Sequence, residues 1–125
     1  MMIPDHDREI LSKAVCLPFL IKVLQRDLKV VEVNPFKFKG PYMVVIEELM
    51  KVIKKDLAEV KRYLYKNNIK IVYVGKDETS TNYLFLYNGF EEKTNYFNPH
   101  LGNKVEEMLR EYMNGGQSKN SDPSI

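Results

Sequence analysis

The sequence predicts an α+β domain with a kinked N-terminal helix, a long central helix, a small antiparallel β-meander and a C-terminal helix. Two observations lead to this prediction. Apolar residues recur with the helical period of about 3.6 residues through residues 42–66, and the pattern then changes to short β-rich runs in residues 69–97. Helices and antiparallel strands that are grouped in separate stretches of the chain are typical of α+β folds.

Length and composition indicate one ordinary globular domain over residues 1–116. The chain has 125 residues, of which 44% are apolar and 29% are charged, which is close to average globular usage. Residues 117–125 are expected to form a disordered tail. The sequence lacks the features of a signal peptide or membrane span, and its single cysteine cannot form an intrachain disulfide, so we expect a cytoplasmic protein without a membrane partner.

The first element is a predicted helix over Asp5 to Asp27. Its apolar residues follow helical spacing, with one defect at Pro18. Because proline lacks the amide donor and crowds the preceding turn, we expect either a kink at this position or two shorter helices that meet near Leu17. Cys16 lies in the same apolar stretch and is expected to be a buried hydrophobic residue rather than a reactive thiol.

The next stretch is predicted to be extended. Lys29 to Val33 is β-branched and precedes Asn-Pro, which indicates a short strand that ends in a turn. If the alternation continues, Phe36 and Phe38 point inward, because two aromatic rings on one face are more often core than surface. The alternative is a loop in which exposed rings, with Lys37 and Lys39 beside them, bind single-stranded nucleic acid.

The central helix is predicted over Tyr42 to Lys66, and one of its faces is apolar at helical spacing. The residues of this face are Tyr42, Ile46, Leu49, Ile53, Leu57, Val60 and Leu64. The N-terminal half is apolar on further sides, and a helix of this length seldom leaves such a half uncovered. We therefore predict that Val45 and Met50 contribute to self-association.

The opposite face of the central helix is basic. Its cations are Lys51, Lys54, Lys55, Lys61, Arg62 and Lys66. Together with Lys37 and Lys39 they are the candidate contacts to nucleic acid, since a basic helix face can lie along phosphates. Glu48 and Glu59 are interspersed among them and weaken the positive field.

Three β-rich runs follow, and they predict an antiparallel meander. The runs are Ile69 to Val74, Tyr83 to Tyr87 and Phe90 to Phe97. Asn88-Gly89 is the favoured dipeptide for a two-residue hairpin turn between the last two runs. The polar stretch between the first two, residues 76–82, is expected to be a longer and mobile loop.

One strand of the meander is apolar on both faces. Tyr83, Phe85 and Tyr87 share one face and alternate with leucines on the other. One face must cover the helices, and the aromatic residues are candidates for a self-association surface because aromatic patches are enriched at interfaces. The C-terminal helix is the alternative cover for them.

The last helix is predicted to begin at Asn103, which is spaced to form a capping box with Glu106, and to end at a Gly-Gly pair. Its apolar face consists of Val105, Met108, Leu109, Tyr112 and Met113. A helix followed by a β-hairpin resembles the arrangement of a winged-helix DNA-binding domain. The loop of such a wing would contain more acids than bases, which disfavours contact with phosphate.

The sequence does not indicate a particular reaction. The two histidines, His6 and His100, lie near opposite ends of the predicted domain, and the common nucleotide-binding, zinc-protease and hydrolase motifs are absent. We expect no metal, no cofactor and no small-molecule substrate.

The leading interpretation is a non-enzymatic cytosolic interaction or regulatory module that forms a homodimer. The alternative is a nucleic-acid-associated protein, winged-helix-like or single-strand-binding, that uses the basic face of the central helix.

Overall fold

The computed structural model describes residues 3–115, and within them the chain forms three helices and one three-stranded antiparallel sheet. The elements in chain order are α1 (Asp5–Val33), α2 (Lys39–Lys66), β1 (Ile69–Lys76), β2 (Ser80–Tyr87), β3 (Phe90–Phe97) and α3 (Asn98–Met113). This order confirms the predicted α+β fold. The predicted tail, residues 117–125, lies outside the described residues.

α1 is longer than predicted, and the predicted strand at Lys29 to Val33 is wrong, because this stretch is the last part of the helix. Leu24, Leu28 and Val31 continue the helical spacing and are buried or half-buried, on a helix that packs on α2. Packing of this stripe therefore outweighs the strand preference of the β-branched residues. The helix does end at the Asn-Pro pair that the sequence marks as a stop.

Pro18 lies inside α1, and the helix is not divided into two shorter ones near Leu17. An interior proline removes one backbone hydrogen bond and costs about 3 kcal/mol. Leu17 and Leu20 on either side of it are fully buried, as is Cys16. Burial of these neighbours offsets the cost of the proline, and the predicted burial of Cys16 is confirmed.

The connection from α1 to α2 is a short turn and not a strand, so the inward placement of Phe36 and Phe38 is wrong. Their side chains are 47% and 66% exposed. The turn lies at the end of the helical hairpin that is remote from the sheet, where none of the other elements within residues 3–115 covers the rings. α2 begins at Lys39, whose Nζ donates to the Glu32 carbonyl at 2.8 Å and satisfies a free acceptor at the end of α1.

The sheet has the order β1-β2-β3, which confirms the predicted meander. Tyr87 pairs with Phe90 across the turn, where Asn88 and Gly89 both have positive φ (52° and 77°), as the predicted hairpin turn requires. The loop between β1 and β2 is shorter than predicted. It is closed by Asp77, whose Oδ1 accepts from the backbone amides of Thr79 and Ser80 at 2.8 Å each.

Tyr83, Phe85 and Tyr87 do not form a surface for self-association. They are only 8%, 2% and 8% exposed and belong to the main hydrophobic core. Their face of the sheet packs on the helices. The opposite face points outward, and on it Leu84 and Leu86 are half-buried beside exposed lysines of the neighbouring strands. The aromatic face is the one that covers the helices, and the prediction that it meets a second copy is wrong.

α3 begins five residues earlier than predicted, and the capping box of Asn103 with Glu106 is absent, because both residues lie inside the helix. Pro99 occupies the first turn, where its fixed φ suits a helix start. Asn98 accepts a hydrogen bond from Thr81 at 2.7 Å and donates to the Asp77 carbonyl at 3.2 Å. The start of α3 is therefore tied to the loop between β1 and β2.

A carboxylate near the N-terminus of α1 joins three elements. The hydroxyls of Tyr63 on α2 and Tyr87 on β2 both donate to Asp7, each at 2.6 Å. The next residue, Arg8, donates two hydrogen bonds to Glu92 on β3 at 2.9 and 2.8 Å. These contacts fix the sheet against one end of the helical hairpin.

The pKa of Asp7 is held below its usual value of 3.8 by the hydrogen bonds from Tyr63 and Tyr87. Asp7→Asn removes the charge that these hydroxyls stabilise, so we expect it to lower the free energy of unfolding by about 1 kcal/mol at neutral pH, a small figure because solvent reaches the carboxylate. A carboxylate with a lowered pKa stabilises the fold while it is ionised. This contribution is complete above pH 3.8 and is lost as the pH falls through the lower pKa of the folded state.

Urea unfolding of the wild type and Asp7→Asn at neutral pH, and in steps downward from the usual pKa, measures this difference. Glu9→Gln, at an exposed carboxylate on the same helix, is the matched control and should unfold like the wild type. Equal stability of Asp7→Asn and wild type at neutral pH would contradict the role of Asp7.

Candidate interaction surface

The far half of the helical hairpin is not covered by the rest of the domain. The core ends at Leu24 on α1 and Ile53 on α2, and none of the residues 25–52 between them is buried. We call this segment the distal hairpin. It consists of the end of α1, the turn and the first half of α2.

The distal hairpin exposes a set of large apolar side chains. They are Val30, Val33, Phe36, Phe38, Tyr42, Val44, Val45 and Val52. Exposed apolar side chains in this number on one segment mark an interaction site more often than a solvated surface. Val45, predicted to take part in self-association, is 51% exposed, whereas Met50 is half-buried and packs against the core.

Two stripes on the hairpin have the same pattern with opposite charge. On α1, Val23, Arg26 and Val30 are spaced by three and four residues, and all three are exposed. We call them the α1 stripe. On α2, Val45, Glu48 and Val52 have the same spacing and are also exposed, and they form the α2 stripe. Residues at this spacing lie on one face of a helix.

Both stripes lie on the side of the hairpin that carries α3. Val23 lines a groove between α1 and α3. Asp56 follows Val52 by one helical turn and accepts a hydrogen bond from the Tyr112 hydroxyl of α3 at 2.6 Å. α3 therefore meets the inner end of each stripe, and the stripes continue beyond it without a cover within residues 3–115.

The turn of the hairpin holds the two lysines that were predicted to contact nucleic acid. Lys37 Nζ lies 5.5 Å from the centre of the Phe38 ring, and the Phe36 and Tyr42 rings meet edge to face at 5.7 Å. Lys39 is engaged by the carbonyl at the end of α1. The turn therefore presents aromatic rings with one lysine, Lys37, beside them, rather than a pair of lysines that both face solvent.

The predicted basic face is present on α2, from Lys51 at the edge of the distal hairpin to Lys66 at the end of the helix. Its cations, Lys51, Lys54, Lys55, Lys61, Arg62 and Lys66, are all exposed. Lys51 pairs with Glu48 at 3.2 Å across an exposed surface, and such pairs contribute little to stability. We call this face the basic band. It points away from the residues of α2 that pack on α1.

Metal and membrane sites do not emerge from the described part of the chain. Within residues 3–115, no three histidine, cysteine or acidic side chains lie close enough together to hold a metal ion. None of the helices in that range combines the length and apolar character needed to cross a membrane.

The sequence indicated the apolar half of the central helix but missed the α1 stripe. The missed signal is the repeated spacing of valine, charge and valine at residues 23–30 and 45–52. The spacing at residues 23–30 places these side chains on one face only if α1 is helical through Val30. The predicted strand at residues 29–33 ruled this out.

Comparison with known proteins gives a family without an assigned activity. The family model described as YhjD protein matches residues 2–117. A protein of Bacillus subtilis (strain 168), named Uncharacterized protein YhjD, is 38% identical over 105 residues, which cover 84% of this chain and 88% of that protein. No solved structure matches the chain.

The different exposure of Phe38 and Phe85 predicts that their substitution by alanine changes stability to very different extents. Phe38→Ala should change the free energy of unfolding by less than about 0.5 kcal/mol, because its ring is 66% exposed. Phe85→Ala should cost about 3–5 kcal/mol, because its ring is 2% exposed in the core. Urea unfolding at low protein concentration measures both, and a Phe38→Ala cost as large as that of Phe85→Ala would show that Phe38 is covered.

Proposed function

Because the chain belongs to the YhjD protein family, we propose a function from its surface. The protein is a non-enzymatic cytosolic interaction module that self-associates through the distal hairpin and the adjacent Val23. The observation that carries the proposal is the pair of stripes with equal spacing and opposite charge. An interface built from them is complementary to itself.

A two-fold dimer brings the α1 stripe of one copy onto the α2 stripe of the other. Arg26 then faces Glu48 of the second copy, and the valines on each side of the two charges meet. The same contact occurs twice, as a closed two-fold interface requires. The two hairpins together resemble a four-helix arrangement, in which each pair of helices covers the apolar face of the other.

The size of the distal hairpin supports this pairing. A stable interface takes roughly 800 Å² from each partner, which corresponds to about 20–30 residues a side. The distal hairpin has 28 residues, none of them buried, and those on the side that carries both stripes would face the second copy. It carries five basic and four acidic residues, so two copies can approach without strong repulsion.

Two of the titratable groups whose pKa is shifted take part in contacts between elements, which agrees with a structural role for them. Arg8 lowers the pKa of Glu92 through a hydrogen bond that ties α1 to β3. Burial, together with the hydrogen bond to Asp56, raises the pKa of Tyr112 where α3 meets α2. Shifted groups at a catalytic site usually converge on one cleft, whereas Glu92 and Tyr112 lie at separate joints between elements.

Contact with nucleic acid is the second candidate function, and the basic band is the observation that favours it. Its six cations are exposed over residues 51–66 of α2 and are accompanied there by two acids. Such a face can neutralise phosphates. The distal hairpin, with nearly balanced charge, does not add to this field.

Self-association predicts that Val45→Glu weakens the dimer at least about tenfold, because it places a carboxylate in the apolar part of the interface beside Glu48. Light scattering behind size exclusion over a range of concentrations measures the mass. Val72→Glu, at a valine that is 42% exposed on the outer face of the sheet, is the matched control and should stay dimeric. A wild type that is monomeric at high micromolar concentration would contradict the proposal.

A charge exchange identifies the pairing directly. Arg26→Glu and Glu48→Arg should each weaken the dimer, because each places like charges opposite one another across the interface. The double variant restores opposite charges and should recover the wild-type mass. If the double variant is as weak as the single ones while all three are folded, the two stripes do not face each other.

Binding to nucleic acid predicts a salt dependence that involves the basic band. Replacing Lys55, Arg62 and Lys66 by glutamine should reduce the slope of binding against salt by about one contact for each cation that touches phosphate. Fluorescence anisotropy with single- and double-stranded oligonucleotides measures it, and Lys93→Gln on the sheet is the control. No wild-type binding at low salt would exclude this second function.

A further inference from the structure

A cleft of about 450 Å³ lies beside the proline of α1, between this helix and the first two strands. We call it the proline cleft. The residues of its wall that matter here are Pro18, Phe19, Lys22, Tyr73, Lys76 and Tyr83. Its volume is in the range of small-molecule sites, which combine mainly apolar walls with a few polar groups.

Two cations and two aromatic rings border the same space. Lys22 comes from α1 and Lys76 from the end of β1, and neither forms an ion pair within residues 3–115. The rings of Tyr73 and Tyr83 meet edge to face at 5.6 Å. The cleft therefore offers positive charge beside an apolar wall, and these two features together suit an anion with an apolar body.

The hydroxyl of Tyr83 provides a further polar group without a protein partner. Tyr83 is only 8% exposed, and among the described hydrogen bonds none involves this hydroxyl. The hydroxyl is also accessible to solvent. Within residues 3–115, the inaccessible side-chain polar atom that lacks a hydrogen-bond partner is Oδ1 of Asn82, not the Tyr83 hydroxyl. The hydroxyl therefore reaches open space, and the space that Tyr83 borders is the proline cleft.

The proline cleft lies next to the groove between α1 and α3. This groove has a volume of about 460 Å³ and shares Phe19, Lys76 and Thr81 with the cleft. Beyond Phe19 its wall is mostly apolar, with Leu101 and Val105 of α3. A charged end and an apolar end thus adjoin in one depression.

We propose that this depression binds a small amphipathic carboxylic acid. The carboxylate lies between Lys22 and Lys76 and accepts a hydrogen bond from Tyr83, and the apolar body extends past Phe19 into the groove between α1 and α3. Lysines bind a carboxylate as point charges, and the hydroxyl adds a directed contact. The proposal does not rest on self-association, since the depression and the two stripes share only Val23.

Isothermal titration calorimetry with octanoate and with 4-phenylbutanoate tests the proposal and distinguishes an aliphatic from an aromatic body. At least one of the two should bind saturably with one site per chain. Octanamide and 4-phenylbutanamide keep the shape without the charge and should bind at least about tenfold more weakly. No saturable binding of either acid at millimolar concentration, equal binding of the amides, or equal binding of inorganic phosphate would overturn the proposal.

Variants locate the two ends of the ligand. Lys22→Gln and Lys76→Gln should each weaken carboxylate binding about tenfold, and Tyr83→Phe should weaken it by a smaller factor. Lys54→Gln, in the basic band and outside the depression, is the control and should leave the affinity unchanged. Unchanged affinity in both lysine variants of the cleft would overturn the assignment of the carboxylate.

A substitution that fills the groove tests the apolar end. Gly102 lines the groove on α3, and a Cβ atom added there would meet nothing within 4 Å. Gly102→Leu should therefore keep or raise the melting temperature, since glycine is a poor helix former, and should abolish binding. A folded Gly102→Leu protein that binds the acid with wild-type affinity would overturn the placement of the body in this groove. Melting temperatures of all variants, measured without ligand, separate loss of binding from loss of folding.

Discussion

The packing of α1 on α2 is the contact on which the other elements depend. The two helices have 29 and 28 residues, which corresponds to about 43 and 42 Å at 1.5 Å per residue. The strands have eight residues each and α3 has 16, so the sheet and the last helix can cover only part of a hairpin of this length. The core therefore forms at one end of the hairpin, between Leu11 and Leu24 on α1 and between Ile53 and Leu64 on α2.

Polar contacts hold the sheet at that end. Asp7 accepts hydrogen bonds from tyrosine hydroxyls on α2 and β2, and Arg8 donates to Glu92 on β3. Hydrogen bonds to ionised groups are stronger than those between neutral groups, and here they act at the border of the core, where water still reaches the partners. They set the position of the sheet, and its aromatic face then fills the space against the helices. The opposite end of the hairpin has no comparable partner within residues 3–115.

The uneven cover of the hairpin separates three surfaces. The distal hairpin combines exposed valines and aromatic rings with nearly balanced charge, which suits a second copy of the same chain. The basic band lies on the solvent side of α2, where cations outnumber acids. The proline cleft and its groove lie where α1 passes the sheet and α3, close to the residue that interrupts the hydrogen bonding of α1. Each surface has different chemistry, so substitutions at residues that belong to one surface alone test it separately from the other two.

The sequence by itself determined the elements whose signals are local. The period of α2, the hairpin turn at Asn88-Gly89 and the burial of Cys16 depend on neighbouring residues, and all agree with the structure. It also indicated that the first half of α2 is too apolar for its surroundings.

Tertiary structure decided the rest. Residues 29–33 prefer strand locally but are helical because α1 packs on α2, and Phe36 and Phe38 are exposed because the turn lies beyond the core. The aromatic face of β2 is buried because this face of the sheet packs on the helices; its residues are Tyr83, Phe85 and Tyr87. The sequence cannot indicate which face is buried, because both faces of this strand are apolar. Burial depends on which elements meet, and that information is held in contacts between residues far apart in the chain.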